Sequence, residues 1–284
     1  MKNELLVSAA RLNELIENGR CKVVDCRFDF SNTDRGRADW MAGHVPGAAY
    51  AHLDDDLSSP VEDHTGRHPL PLASVFASYL SSIGWSSSMI LVAYDAGSNA
   101  IASRLWWLMR FFGQRAALLD GGLPAWVEAG LPLETGVTTH RPAPVEKLQP
   151  NRDMVSQTEQ IHRLLGSTEQ TILDARAAER FSGETEYLDT RAGHIPGSLN
   201  RPFEANLGAD GRFRGADELR EEFESILGRV NPSQVIHSCG SGVTACHNQF
   251  AMELAGLGSS RVYAGSWSEW IRDPSRPIET GNPG

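Results

Sequence analysis

Long apolar runs are missing from these 284 residues. None approaches the roughly 20 residues that span a bilayer. The opening stretch Met1-Lys2-Asn3-Glu4-Leu5-Leu6 lacks the apolar core of a secretory signal. A membrane function is therefore not expected, and cytoplasmic residence is. Positive charge is also short: 26 Lys and Arg stand against 36 Asp and Glu, for a formal net charge of −10. That field makes nucleic acid an unsuitable partner. It also means that a small anion needs a site built from local groups. Cysteine is scarce. Cys21, Cys26, Cys239 and Cys246 show no zinc-ligand spacing, and in a reducing compartment they are expected as free thiols rather than a disulfide framework.

What is present is a soluble, globular composition, with 40% hydrophobic and 22% charged residues, in a chain long enough for two domains. One plan occurs twice. Val23-Val24-Asp25-Cys26-Arg27 matches Ile172-Leu173-Asp174-Ala175-Arg176, and Gly43-His44-Val45-Pro46-Gly47 matches Gly193-His194-Ile195-Pro196-Gly197. The apolar run Leu91–Tyr94 matches Val235–Ser238, and Leu119–Trp126 matches Tyr263–Trp270. Such a repeat implies duplication of one supersecondary unit. Strand patterns alternate with helical ones: Ser8–Gly19, Leu72–Gly84, Ala100–Phe112 and Thr244–Ala255 read as helices. The expected class is α/β, with a mainly parallel sheet flanked by helices in each half. The expected division is an N-terminal domain 1–134, a linker 135–151 rich in Pro, Thr and charge, and a C-terminal domain 152–284.

The chemistry is expected in Val235-Ile236-His237-Ser238-Cys239-Gly240-Ser241-Gly242-Val243-Thr244, which reads as strand, tight loop and helix start. A loop closing on a helix N-terminus points backbone N–H groups inward, with the positive end of the helix dipole behind them. The glycines permit the conformations that such a cup requires. A thiol at its centre is expected to ionise more readily than a free cysteine, whose pKa is near ~8.5. The competing reading is a small buried hydrophobe, which the placement between a strand end and two glycines disfavours. Cys239 falls opposite Asp95 in the repeat. A carboxylate is not a thiolate nucleophile, so the first domain is expected to be catalytically silent.

The Cys239–Thr244 loop, together with the two Gly-His-hydrophobic-Pro-Gly segments, resembles the rhodanese superfamily of tandem-domain sulfurtransferases, in particular its 3-mercaptopyruvate branch. Thiosulfate-specific members carry basic residues directly after the cysteine, where this chain has Gly240 and Ser241. The resemblance implies two tandem rhodanese-like domains and a Cys239 persulfide. The donor would be a small sulfur anion, 3-mercaptopyruvate first and thiosulfate second. The acceptor would be cyanide or a thiol, including a thioredoxin-like one, and no cofactor is needed.

It also implies that Gly240, Gly242, Val243 and Thr244 shape the sulfur cup, with Thr244 capping the helix. Ser241 would relay a proton from a thiol substrate, unless it only satisfies loop backbone. Arg180 matches the first of two arginines that bind substrate. The second falls nine residues on, where this chain has Asp189. Arg191 is the candidate replacement, its alternative being a solvated surface charge. His44 is implied as an acid–base group; its recurrence as His194 favours a structural turn role. Two other classes compete with this one. A cysteine phosphatase needs an arginine closing the loop, and Ala245 stands there. A non-enzymatic sulfur-relay module remains as a distant alternative.

Overall fold

The computed structural model describes residues 4–167, 170–258 and 260–281; Met1, Lys2 and Asn3 of the opening stretch lie outside them. The chain forms two compact units. Unit 1 comprises Met1–Ser59, Leu70–Asn151 and the short segment Ala209–Arg212. Unit 2 comprises Arg152–Gly208, Phe213–Gly284 and the loop Pro60–Pro69. The division thus departs from chain order in two places, and residues 135–151 belong to unit 1 rather than standing as a separate linker.

Each unit is a five-stranded parallel sheet. In unit 1 the strands are β1 (Leu6–Val7), β2 (Cys21–Asp25), β3 (Ala49–Tyr50), β4 (Ile90–Tyr94) and β5 (Ala116–Leu119), in the spatial order β1-β5-β4-β2-β3. In unit 2 they are β6 (Val155–Ser156), β7 (Thr171–Asp174), β8 (Leu199–Asn200), β9 (Val235–Ser238) and β10 (Arg261–Tyr263), ordered β6-β10-β9-β7-β8. The central strand β4 is apolar along its length, and β9, which ends in His237 and Ser238, is buried throughout, as expected of the central strands of a parallel sheet. Burying each large aliphatic side chain there stabilises the fold by about 1.5–3 kcal/mol.

The register places the two loops identically. β2 pairs with β4 so that Asp25 lies beside Tyr94, and β7 pairs with β9 so that Asp174 lies beside Ser238. Asp95 and Cys239 are the next residues, at the carboxyl ends of the central strands, where parallel α/β sheets place their ligands.

The helices fall close to their expected bounds: Ala9–Glu17, Ala73–Ser82, Ala102–Phe111 and Thr244–Leu254. Ser8 caps the first, its Oγ accepting the Arg11 N–H at 3.2 Å. Thr244 does not act as a cap. It is the first helical residue, the N-cap position is Val243, and no side chain caps this helix.

Candidate active site

Cys239 leaves β9 and enters a loop fixed on both sides. Its N–H donates to Ser266 Oγ at 3.1 Å, and its carbonyl accepts the Trp267 N–H at 3.0 Å. The Gly240 carbonyl accepts the Ser268 N–H at 2.9 Å. Gly242 then turns the chain with φ +77°, and a Cβ there would lie 2.2 Å from the Ala264 carbonyl oxygen, so only glycine fits. The turn directs the Gly242 N–H onto Cys239 Sγ at 3.2 Å. The Gly242 carbonyl accepts from Cys246 Sγ at 3.3 Å, which anchors the loop to the following helix.

Cys239 is only 2% exposed, yet polar side chains surround its loop. Ser241 Oγ lies 2.7 Å from His68 Nδ1. Arg67 and Arg180 overlie Gly240: a Cβ on this glycine would sit 2.9 Å from Arg67 Nη2 and 3.7 Å from the Arg180 guanidinium. Both arginines share one carboxylate. Asp189 accepts from Arg67, and from Arg180 Nη2 at 3.2 Å. Arg180 is further held by Glu186 through Nε at 3.2 Å and Nη2 at 2.8 Å.

Deeper lies Arg176, clamped by Asp174 through two parallel bonds of 3.1 and 2.8 Å and stacked 5.0 Å from the Trp267 ring. Burial alone would lower the Arg176 pKa. The carboxylates of Asp174 and Glu186, and the Cys239 sulfur when it is charged, outweigh burial and raise it. The Asp189 carboxyl is pushed up by burial and by Glu186, against the pull of Arg67. Glu186 falls below the usual glutamate value: burial opposes ionisation, but the Leu188 N–H and Arg180 favour it.

The cysteine loop, Ser241 and Arg180 are thus brought together as expected from the sequence, while Arg191 is placed differently. Its carbonyl accepts the Trp267 Nε1–H at 2.9 Å, and its buried Nη1 has no hydrogen-bond partner. Its backbone steadies the wall behind the loop, and nothing in the structure assigns its side chain to the anion position. His44 is fully buried in unit 1 and both ring nitrogens are engaged: Nδ1 with the Trp40 carbonyl at 2.7 Å, Nε2 with Thr138 Oγ1 at 2.8 Å. Its copy His194 bonds Phe181 O at 2.9 Å in the same way. This is the turn role of the repeat.

Arg67 and His68 escaped the sequence reading. Their signal was a basic pair inside the polar, aperiodic loop 58–69. Nothing in a linear pattern shows that this loop packs with the other half of the chain.

Comparison with known proteins shows the family of the fold. The rhodanese-like domain family matches twice, at residues 8–129 and 157–273.

The chain belongs to the rhodanese family.

Among rhodanese relatives, a Pseudomonas aeruginosa protein named "Probable 3-mercaptopyruvate sulfurtransferase" is 42% identical over 99% of this chain and 100% of its own. The thiosulfate sulfurtransferase of Rattus norvegicus is 34% identical over 98% and 96%. Among solved structures, a 3-mercaptopyruvate sulfurtransferase of Escherichia coli superposes with a TM-score of 0.80 at 31% identity, covering 93% of this chain and 99% of that one. The tandem α/β architecture expected from the repeat is therefore the rhodanese one.

Proposed function

We propose that this chain is a sulfurtransferase that moves a sulfane sulfur from 3-mercaptopyruvate to a thiol or cyanide through a Cys239 persulfide. One observation carries the reading: Cys239 Sγ receives a loop N–H, while the same loop presents Ser241 already bonded to a histidine and lies beneath two arginines.

In the first step the Cys239 thiolate attacks the donor sulfur. A Cys239–sulfur bond forms and the donor carbon–sulfur bond breaks. The electron pair stays on the departing carbon as the enolate of pyruvate, which then takes a proton. The Ser241–His68 pair is the proton carrier: Ser241 takes the donor thiol proton and passes it to His68, which returns it to the enolate. Arg180 contacts the donor carboxylate from the side of the guanidinium that faces Gly240, since its Nε–Nη2 edge is held by Glu186. In the second step an acceptor thiolate attacks the outer sulfur and Cys239 leaves as thiolate. This is covalent, two-step chemistry, so ping-pong kinetics are expected. A thioredoxin-like dithiol suits the second step, since its neighbouring thiol would release the mixed species. Unit 1, with Asp95 at the cysteine position, is silent in this scheme.

Cytoplasmic residence belongs to the same proposal. Among the described residues, no helix is long and apolar enough to cross a membrane, and the four cysteines are free.

The test is intact-mass spectrometry after incubation with 3-mercaptopyruvate. A gain of one sulfur atom, mapped to Cys239 and removed by cyanide, is the expected result. No gain with either 3-mercaptopyruvate or thiosulfate would refute the reading. Faster loading by thiosulfate would reassign the donor and keep the chemistry.

A further inference from the structure

The two arginines above Gly240 already hold a carboxylate between them. Asp189 already bridges them, and its side chain is only 4% exposed. Glu186 takes the Nε–Nη2 edge of Arg180, while Nη1 lies towards Gly240. Arg176, the third guanidinium near the loop, is neutralised by Asp174 and approached by Glu186 at 3.6 Å. Three cations therefore face three carboxylates, and the set is neutral before Cys239 ionises. The Arg67 loop has an edge open to solvent, with 27% of the Arg67 side chain exposed. Asp189 is thus held between one partly exposed arginine, Arg67, and one buried arginine, Arg180.

We propose that Asp189 is the residue that sets donor charge: it stands in for the donor's carboxylate between Arg67 and Arg180, and an entering donor must displace it. The reasoning is electrostatic. A donor with one negative charge exchanges like for like, since its carboxylate takes the arginine contacts that Asp189 gives up. A dianion brings a second charge into a neutral site that also holds a thiolate and the displaced Asp189, and like charges brought together without a counter-ion are strongly disfavoured. 3-Mercaptopyruvate with its thiol protonated carries one charge, whereas thiosulfate carries two. Asp189 therefore selects against thiosulfate. This inference rests on Cys239 as the sulfur carrier, but its test can be read apart from sulfur transfer.

The first measurement is protection of Cys239 from alkylation by the neutral reagent iodoacetamide, in the full-length protein, with acetate and sulfate as the protecting anions. In the wild type, acetate should protect at a lower concentration than sulfate. In Asp189→Asn the order should reverse, with sulfate gaining about tenfold in affinity, the equivalent of one moderate charge–charge contact. Asp189→Glu, which keeps the charge, should retain the wild-type order. Sulfate protecting better than acetate in the wild type would overturn the proposal, and so would an unchanged order in Asp189→Asn. If Asp189→Asn fails to fold, the wild-type order alone decides. The second measurement is the ratio of kcat/KM for thiosulfate to that for 3-mercaptopyruvate. It should rise about tenfold in Asp189→Asn, through KM rather than kcat. A residue that merely holds the arginines in place would instead weaken both donors equally. If no donor loads Cys239 while the protection order holds, the sulfurtransferase reading falls and the charge filter stands.

Discussion

The loops after β4 and β9 are two versions of one device. In unit 1 the Asp95 carboxylate fills the cup: Oδ1 accepts the N–H groups of Gly97 at 3.0 Å and Asn99 at 2.8 Å, and Oδ2 those of Ile101 at 2.9 Å and Ala102 at 3.3 Å. In unit 2 Cys239 Sγ accepts the Gly242 N–H and stands among guanidiniums. Even the outer tether repeats, with Leu123 N–H on the Asp95 carbonyl and Trp267 N–H on the Cys239 carbonyl, both at 3.0 Å. The difference is one of occupancy. A covalently attached carboxylate satisfies its cup permanently, which stabilises the fold and leaves nothing to react. A sulfur leaves capacity for a second atom. The same backbone thus serves stability in one half and, under the proposed function, chemistry in the other.

The severest way to break this comparison is to exchange the occupants. Cys239→Ser should lower sulfur transfer by at least about 10³-fold, since a hydroxyl cannot carry sulfane sulfur. Asp95→Cys should gain no transfer, because unit 1 supplies no counterpart of Arg180 or Ser241: Gly97 stands opposite Ser241, and Asp39 precedes Trp40 where Arg180 precedes Phe181, the residues whose carbonyls bond His44 and His194. Turnover by Asp95→Cys in a Cys239→Ser background would show that the cup alone is enough.

The two kinds of histidine come next. His68→Asn and Ser241→Ala should each reduce kcat by about 10²-fold, and the double variant by little more, because the pair acts as one proton carrier. Fully additive losses would mean that the pair does not work as a unit. His44→Ala should behave in the opposite way, lowering thermal stability by about 2–4 kcal/mol through its two lost buried hydrogen bonds while leaving donor KM close to the wild-type value.

A subtler contrast lies at the residue before the tether. Unit 1 has Gly122 with φ +58°, whereas unit 2 has Ser266 with φ +52°, a left-handed conformation that costs a non-glycine residue about 1 kcal/mol or more. Ser266 Oγ accepts the Cys239 N–H and donates to the Tyr263 carbonyl at 2.8 Å. The strain is thus tolerated where a hydroxyl positions the cysteine. Ser266→Gly should relieve strain and lose two hydrogen bonds, so unfolding free energy should change by less than about 1 kcal/mol. The rate of Cys239 persulfide formation should nevertheless fall severalfold. An unchanged rate would make Ser266 a structural residue only.

Much of this was legible in the residues. The duplicated Asp-X-Arg and Gly-His-X-Pro-Gly segments gave the α/β plan, because each recurs with the same strand and turn signals. Glycines around Cys239 marked the loop, since positive φ at Gly242 is a local demand. Long-range placement was not legible. Arg67 and His68 reach Gly240 and Ser241 through a loop whose sequence carries no period. Asp189 read as a missing arginine, when its meaning lies in the two guanidiniums that it joins. Thr244 read as a cap because threonine favours that position, but the chain enters the helix one residue earlier, at Val243.

The smallest expected effect distinguishes the two loops by the sign of a pH dependence. Burial raises the Asp95 pKa above its ordinary 3.8, although four N–H groups oppose it. The folded state then holds the proton more tightly than the unfolded state. Its contribution is fully present below the ordinary value and is lost as pH rises through the folded pKa. Glu186, beside Arg180, lies below its ordinary 4.5. Its contribution is present above that value and is lost as pH falls through the folded pKa. Urea unfolding from about pH 3 to 7 should therefore show Asp95→Asn gaining on the wild type as pH rises, and Glu186→Gln losing ground over the same range. Parallel curves for the two variants would mean that the carboxylate in the unit 1 cup and the carboxylate beside the unit 2 arginines sit in equivalent fields, and the contrast between a filled cup and a charged, receptive one would then have no electrostatic basis.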